Sequence, residues 1–227
     1  MIGLIEAYQA YDTVDHGLAA RADAIISGLS GGNSLGEVVT QRKIEPAEVL
    51  AGYLWAVLGT GVAPRLELRR GSIISSRFAT ALGPDAIGKA LNTTRDERFA
   101  LSAGLLQSAD AWEASHEAAQ AIETGPQSQL GAWWHAIAHR REPDAFNANY
   151  WVRRAGTWPE VANRIVLAMA IPVAKDRFVT QGQWQPDAFF AAVARCEPGS
   201  NDEWILKQWQ RIEILGLIEA TWQSIVS

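Results

Sequence analysis

Residues 201–225 carry apolar side chains at Trp209, Ile212, Leu215, Ile218, Trp222 and Ile225, spaced by threes and fours. That spacing is the period of an α-helix and gives it one apolar stripe that must face other apolar surface. A helix of this length cannot stand alone, so the rest of the chain has to supply what covers it.

The remaining signals are helical as well. Ser34…Glu37, Thr94…Glu97, Thr157…Glu160 and Ser200…Glu203 each have the spacing of a capping box. There the first side chain accepts from a free backbone N–H while the acid accepts from the N–H of the cap residue. Glu45-Pro46 places a proline at a first helical position, where its missing N–H costs nothing. The spacing predicts helices over 2–11, 15–29, 34–41, 46–59, 72–82, 84–91, 95–107, 109–123, 131–141, 146–155, 159–170, 186–196 and 201–225. The one alternating segment, Arg65 to Arg69, is short and isolated, and a lone strand leaves its backbone groups unpaired. The expected fold is all-α: a single irregular multi-helix bundle with little or no strand, over residues 1–227. Gly59 to Gly71 is a candidate linker, and residues 1–60 are a candidate helical subdomain.

Of the 227 residues, 48% are apolar and 20% charged, which excludes wholesale disorder. Ten tryptophans imply large buried area. The net charge is −5 with no long run of one sign, so no nucleic-acid footprint is evident. Cys196 is the sole cysteine, which precludes an intrachain disulfide. The start, Met1 to Glu6, lacks a basic leader, and the longest apolar run, Ile165 to Ala174, is too short to cross a bilayer. We expect a cytoplasmic protein without a membrane partner. Phosphate-binding glycine loops and nucleophile elbows are missing.

Residues 109–156 stand apart. They hold His116, His135 and His139, three of the four histidines. Between 135 and 156, Arg140, Arg141, Arg153 and Arg154 face only Glu142 and Asp144, a local charge of +2 in an acidic chain. His135 and His139 lie one helical turn apart on one face, a spacing that lets a helix offer two imidazoles to one metal ion. If helices 109–123 and 131–141 form a hairpin, His116 falls near His135. Three readings are open for these rings: ligands for a divalent metal, acid–base groups tuned near neutral pH, or buried rings hydrogen-bonded within the core. The arginines have two. They hold a small anionic ligand with their planar forks, or they pair with local acids and helix ends, with Asp144 capping a helix that Gly156 stops. Asn147 with Trp151, and Tyr150 with Arg153, share faces that form either a pocket wall or a core wedge.

The segments Ser115-His116-Glu117-Ala118-Ala119-Gln120 and Trp134 through Gly156 resemble a family of uncharacterised bacterial and fungal proteins. Its pattern reads SHxxxQ, then WHAIxHRREPDxxNAxYWxRRxG. The likeness is close over about 45 residues. It departs at Ala145-Phe146 and at Asn149, where a lysine is more usual. The resemblance implies a shared site without naming its chemistry. Its candidate catalytic groups are His116, His135, His139, Glu142 and Asp144. Its candidate ligand-binding groups are Arg140, Arg141, Asn147, Tyr150, Trp151, Arg153 and Arg154, with a divalent metal on His135, His139 and His116. The contrasting reading is a non-enzymatic helical interaction module whose His/Arg/Asp segment is a buried structural network.

Overall fold

The computed structural model describes residues 4–11, 16–59, 65–71 and 76–227. Its first helices are α1 (Leu4–Tyr11), α2 (His16–Gly31), α3 (Leu35–Arg42) and α4 (Pro46–Leu58). They are followed by α5 (Phe78–Ala81), α6 (Pro84–Ala90), α7 (Arg95–Ser108), α8 (Trp112–Gln120) and α9 (Ser128–Arg141). Then come α10 (Ala145–Ala155), α11 (Glu160–Met169) and α12 (Lys175–Phe178). A two-stranded hairpin, β1 (Val179–Thr180) with antiparallel β2 (Gln183–Trp184), leads to α13 (Pro186–Arg195) and α14 (Asn201–Val226). The described residues form an all-α fold apart from that hairpin. Among the described residues no helix is long and apolar enough to cross a membrane.

Ser34 and Thr94 form complete capping boxes with Glu37 and Glu97, and Pro46 opens α4. Ser200 accepts from the Glu203 backbone, but the Glu203 carboxylate accepts from Gly199 instead of Ser200. The box expected at Thr157 does not form, and α11 starts after Pro159. Trp158 precedes a proline, which holds it out of helical geometry. The proline itself has no N–H for the threonine to receive. Parts of the expected helices 2–11, 15–29 and 72–82, and residues 60–64 of the candidate linker, lie outside the described residues. The rest of that linker, 65–71, is tied to the bundle: the Arg65 N–H donates to Leu58 O at 3.0 Å and Arg70 N–H to Arg141 O at 2.8 Å.

The C-terminal helix exceeds the expected stripe. Every residue from Gln208 to Trp222 is buried, so α14 is covered all round. It packs on α7, α11, α13 and α1. A helix buried on every side must satisfy its polar groups inside the protein. Gln210 donates to Glu67 O at 2.8 Å, Arg211 donates to the Tyr8 hydroxyl at 2.9 Å, and Glu219 accepts from the Ile5 N–H at 3.0 Å. The hydrophobic core is contiguous from Leu4 on α1 to Trp222 on α14.

Gly216 lets α14 approach α11. A Cβ there would stand 2.9 Å from the backbone oxygen of Ala162. Backbone cannot swing aside as a side chain can, so Gly216→Ala forces the two helices apart. The expected cost is about 1–3 kcal/mol, read as a lower denaturation midpoint. An unchanged midpoint contradicts this account of the contact.

Candidate functional site

Helices α8 and α9 pack together through the short connection 121–127. On α9 the 3.6-residue period sets His135 and His139 on one face, with rings stacked at 5.1 Å between centroids. His116 of α8 meets both rings edge-on, at 4.3 Å from His135 and 5.1 Å from His139. The Nε2 atoms of His116 and His135 are 2.8 Å apart, a hydrogen bond in which one neutral ring donates to the other. One nitrogen from each of the three rings lies within 4.8 Å of the others.

Two tryptophans wall this cluster. Trp112, one turn before His116, stacks on it at 4.9 Å and donates its indole N–H to Ala138 O at 2.9 Å. Trp151 of α10 stacks on His135 at 4.0 Å. Arg70 lies over Trp112 and Arg154 over Trp151, at 5.1 and 5.4 Å. Tyr150 meets Trp151 edge-on and is half exposed.

Beside His139 stand two carboxylates. Its Nδ1 is 3.4 Å from Glu142 Oε2 and 4.0 Å from Asp144 Oδ2. Asp144 caps α10: it accepts from the Asn147 backbone N–H at 3.0 Å and from the Asn147 side chain at 2.6 Å. Those bonds hold its carboxyl below the ordinary carboxylate range. Gly156, at φ +72°, ends the helix.

His116 and His135 are kept neutral by their surroundings. Burial, then His116 and His139, push the His135 pKa down to about 3, and burial together with His139 lowers that of His116. His135 is 2% exposed, and its Nδ1 is buried without a hydrogen-bond partner. A histidine neutral in the fold but free to protonate when unfolded stabilises fully above its unfolded pKa near 6.5. That contribution is lost as pH falls from there toward 3, at up to about 1.4 kcal/mol per pH unit. Without metal, stability therefore declines more steeply between pH 6.5 and 4 in the parent chain than in His135→Gln. Equal slopes in urea titrations at several pH values contradict this.

The arginines do not join the cluster. Arg140 runs into the core, where its guanidinium meets Glu213 of α14 at 2.7 and 3.0 Å and Gln210 at 3.3 Å. Phe189 and Phe190 cover its faces at 4.8 and 4.4 Å. Arg141, wholly buried, pairs with Asp110 and donates to the backbone oxygens of Gln107, Glu67 and Arg69. It thereby pins the loop 65–71 to α9. Arg153 is exposed, and Arg154 donates to Glu123 O at 2.9 Å on the surface. The expected pairing of Arg140 and Arg141 with Glu142 and Asp144 does not form: their partners are the distant acids Glu213 and Asp110, which the fold brings up to the buried face of α9.

Sequence reasoning passed over Trp112, Asp110 and Glu213. Trp112 had a legible signal, since it lies four residues before His116 and shares its face. Glu213 was hidden inside an apolar helix. No family model, curated protein or solved structure matches this chain, so the chemistry is argued from this geometry.

Proposed function

We propose that the protein binds a divalent transition-metal ion through His116, His135 and His139. The observation that carries this reading is the convergence of three imidazoles from two helices, with one nitrogen of each within 4.8 Å of the others. Imidazole donors suit zinc, copper, nickel and iron. Three protein ligands leave a tetrahedral ion one open position, as in catalytic zinc sites. Such an ion supplies Lewis acidity and lowers the pKa of a bound water. Glu142, beside the Nδ1 of His139, stands where an outer carboxylate orients a ligating histidine. A small anionic ligand belongs at the ion's open position, because Arg140 and Arg141 are held by Glu213 and Asp110.

The geometry sets a condition. Two nitrogens on one tetrahedral ion at about 2.05 Å stand about 3.3 Å apart, while His116 and His135 are at 2.8 Å. Their rings must part by about half an ångström as the hydrogen bond between them gives way to the ion.

The hydrogen bond itself favours the second reading, a structural network without metal. Elemental analysis of protein purified without chelator separates the two. The metal reading expects about one equivalent of transition metal per chain and a lower melting temperature after EDTA, since an ion that binds only the folded state stabilises it. Substoichiometric metal with unchanged melting in EDTA overturns it.

A further inference from the structure

Helix α10 carries apolar side chains on two opposite sides. Ala148, Trp151, Val152 and Ala155 form the side buried against the bundle. On the other side stand Phe146, 80% exposed, and Tyr150, 45% exposed, one helical turn apart. Arg153 continues that outer stripe by another turn and is exposed. Single apolar residues on a surface are ordinary, so the aromatic pair alone says little.

What adjoins it says more. Between α10 and α13 the surface opens into a recess of about 240 Å³, lined by Ala145 and Ala148 on one side and by Phe190, Ala191 and Ala194 on the other. Asn149, next to Tyr150 on the helix, also lines it, and Phe146 does not. An apolar cavity of about 150 Å³ is enough to hold benzene, so this one has room for a phenyl ring. The same face thus holds a protruding phenyl ring and an apolar hole that fits one. A patch that bears both halves of a contact is self-complementary, the condition for a two-fold interface between identical chains.

The charges are self-complementary as well. Glu142 and Asp144 precede α10, with side chains 37% and 35% exposed. Arg153 and Arg154 stand in its last turn, both exposed. Two copies of α10 laid antiparallel set the arginines of each toward the acids of the other, and the opposed helix dipoles attract. Parallel copies would set like charges side by side.

We infer that the outer face of α10 is a two-fold interface with a second copy of this chain, with the two helices antiparallel and each Phe146 seated in the other copy's recess between α10 and α13. The axis passes beside Asn149 and Tyr150, midway along the stripe from Phe146 to Arg153. An aromatic ring in a pocket with arginine nearby is the combination that carries most of the energy in protein interfaces. The interface requires no metal, so it stands apart from the reading of the three histidines.

The test is sedimentation equilibrium of the full chain up to about 100 μM, with and without EDTA. The parent is expected to reach twice the chain mass in both buffers. Phe146→Asp, at an exposed position, is expected to weaken association by about tenfold or more with unchanged helical circular dichroism and melting. Arg153→Glu is expected to weaken it too, as is added salt in the parent. Asn149→Cys in a Cys196→Ser chain is expected to cross-link two copies on oxidation, because a residue beside a two-fold axis meets its own counterpart. A parent that stays monomeric overturns the inference, and saturable binding of polyglutamate by that monomer would give the face to an acidic partner instead. Association undiminished by Phe146→Asp or Arg153→Glu, growth beyond the dimer, dissociation in EDTA, or failure of Asn149→Cys to cross-link overturns it as well.

Discussion

Replacing Arg140 by alanine lowers stability by about 3–5 kcal/mol, the usual result of removing one partner from a buried ion pair. Glu213 is wholly buried, and burial already raises its carboxyl above the ordinary range while Arg140 pulls it back. Without the guanidinium, the core holds either an uncompensated charge or a protonated acid lacking its partner. Arg140→Ala also strips the cation from Phe189 and Phe190 and opens space beside them. For a chain of this length the melting temperature falls by roughly 6–20 °C. The double variant Arg140→Met, Glu213→Leu recovers most of the loss, because apolar groups of similar size replace buried pairs at little cost. A single variant within 2 °C of the parent contradicts the ion-pair account.

On the proposed metal reading, His135→Ala is expected to lower zinc affinity by more than 100-fold, beyond the 10–100-fold that follows loss of an outer-shell partner. His135 touches both of the other rings, stacked on His139 and hydrogen-bonded to His116. Removing it leaves His116 and His139, and two ligands do not hold an ion as three do. The same change exposes one face of Trp151, so part of its effect is on stability. His116→Ala separates the two effects. His116 is only partly buried, and its removal is expected to cost comparable affinity with a smaller melting shift. Competition with a zinc indicator reads both. Parent-like affinity in either variant contradicts the ligand assignment.

How much of this was legible in the sequence depends on the range of each interaction. Helix starts at Ser34 and Thr94 are written locally, within four residues, and the structure reproduces them. Thr157 misled because a proline two residues on overrides the same signal. The imidazole half of the site was readable because His135 and His139 are bound by helical period and His116 by a short connection. The guanidinium half was not. Arg141 finds Asp110 across 31 residues and Arg140 finds Glu213 across 73, and neither acid is marked in sequence as a partner. The apolar stripe of α14 pointed to one buried face. The helix is buried on all of them, with Tyr8, Glu67 and Arg140 arriving from distant segments to meet Arg211, Gln210 and Glu213.

X-ray absorption at the zinc edge, on the full chain loaded with one equivalent, tests the proposed metal centre most directly. The three-imidazole account predicts a first shell of three nitrogens at about 2.0–2.1 Å with one further light atom, and the outer-shell scattering of imidazole rings. A shell of oxygens alone, or zinc that washes from the protein before measurement, contradicts it.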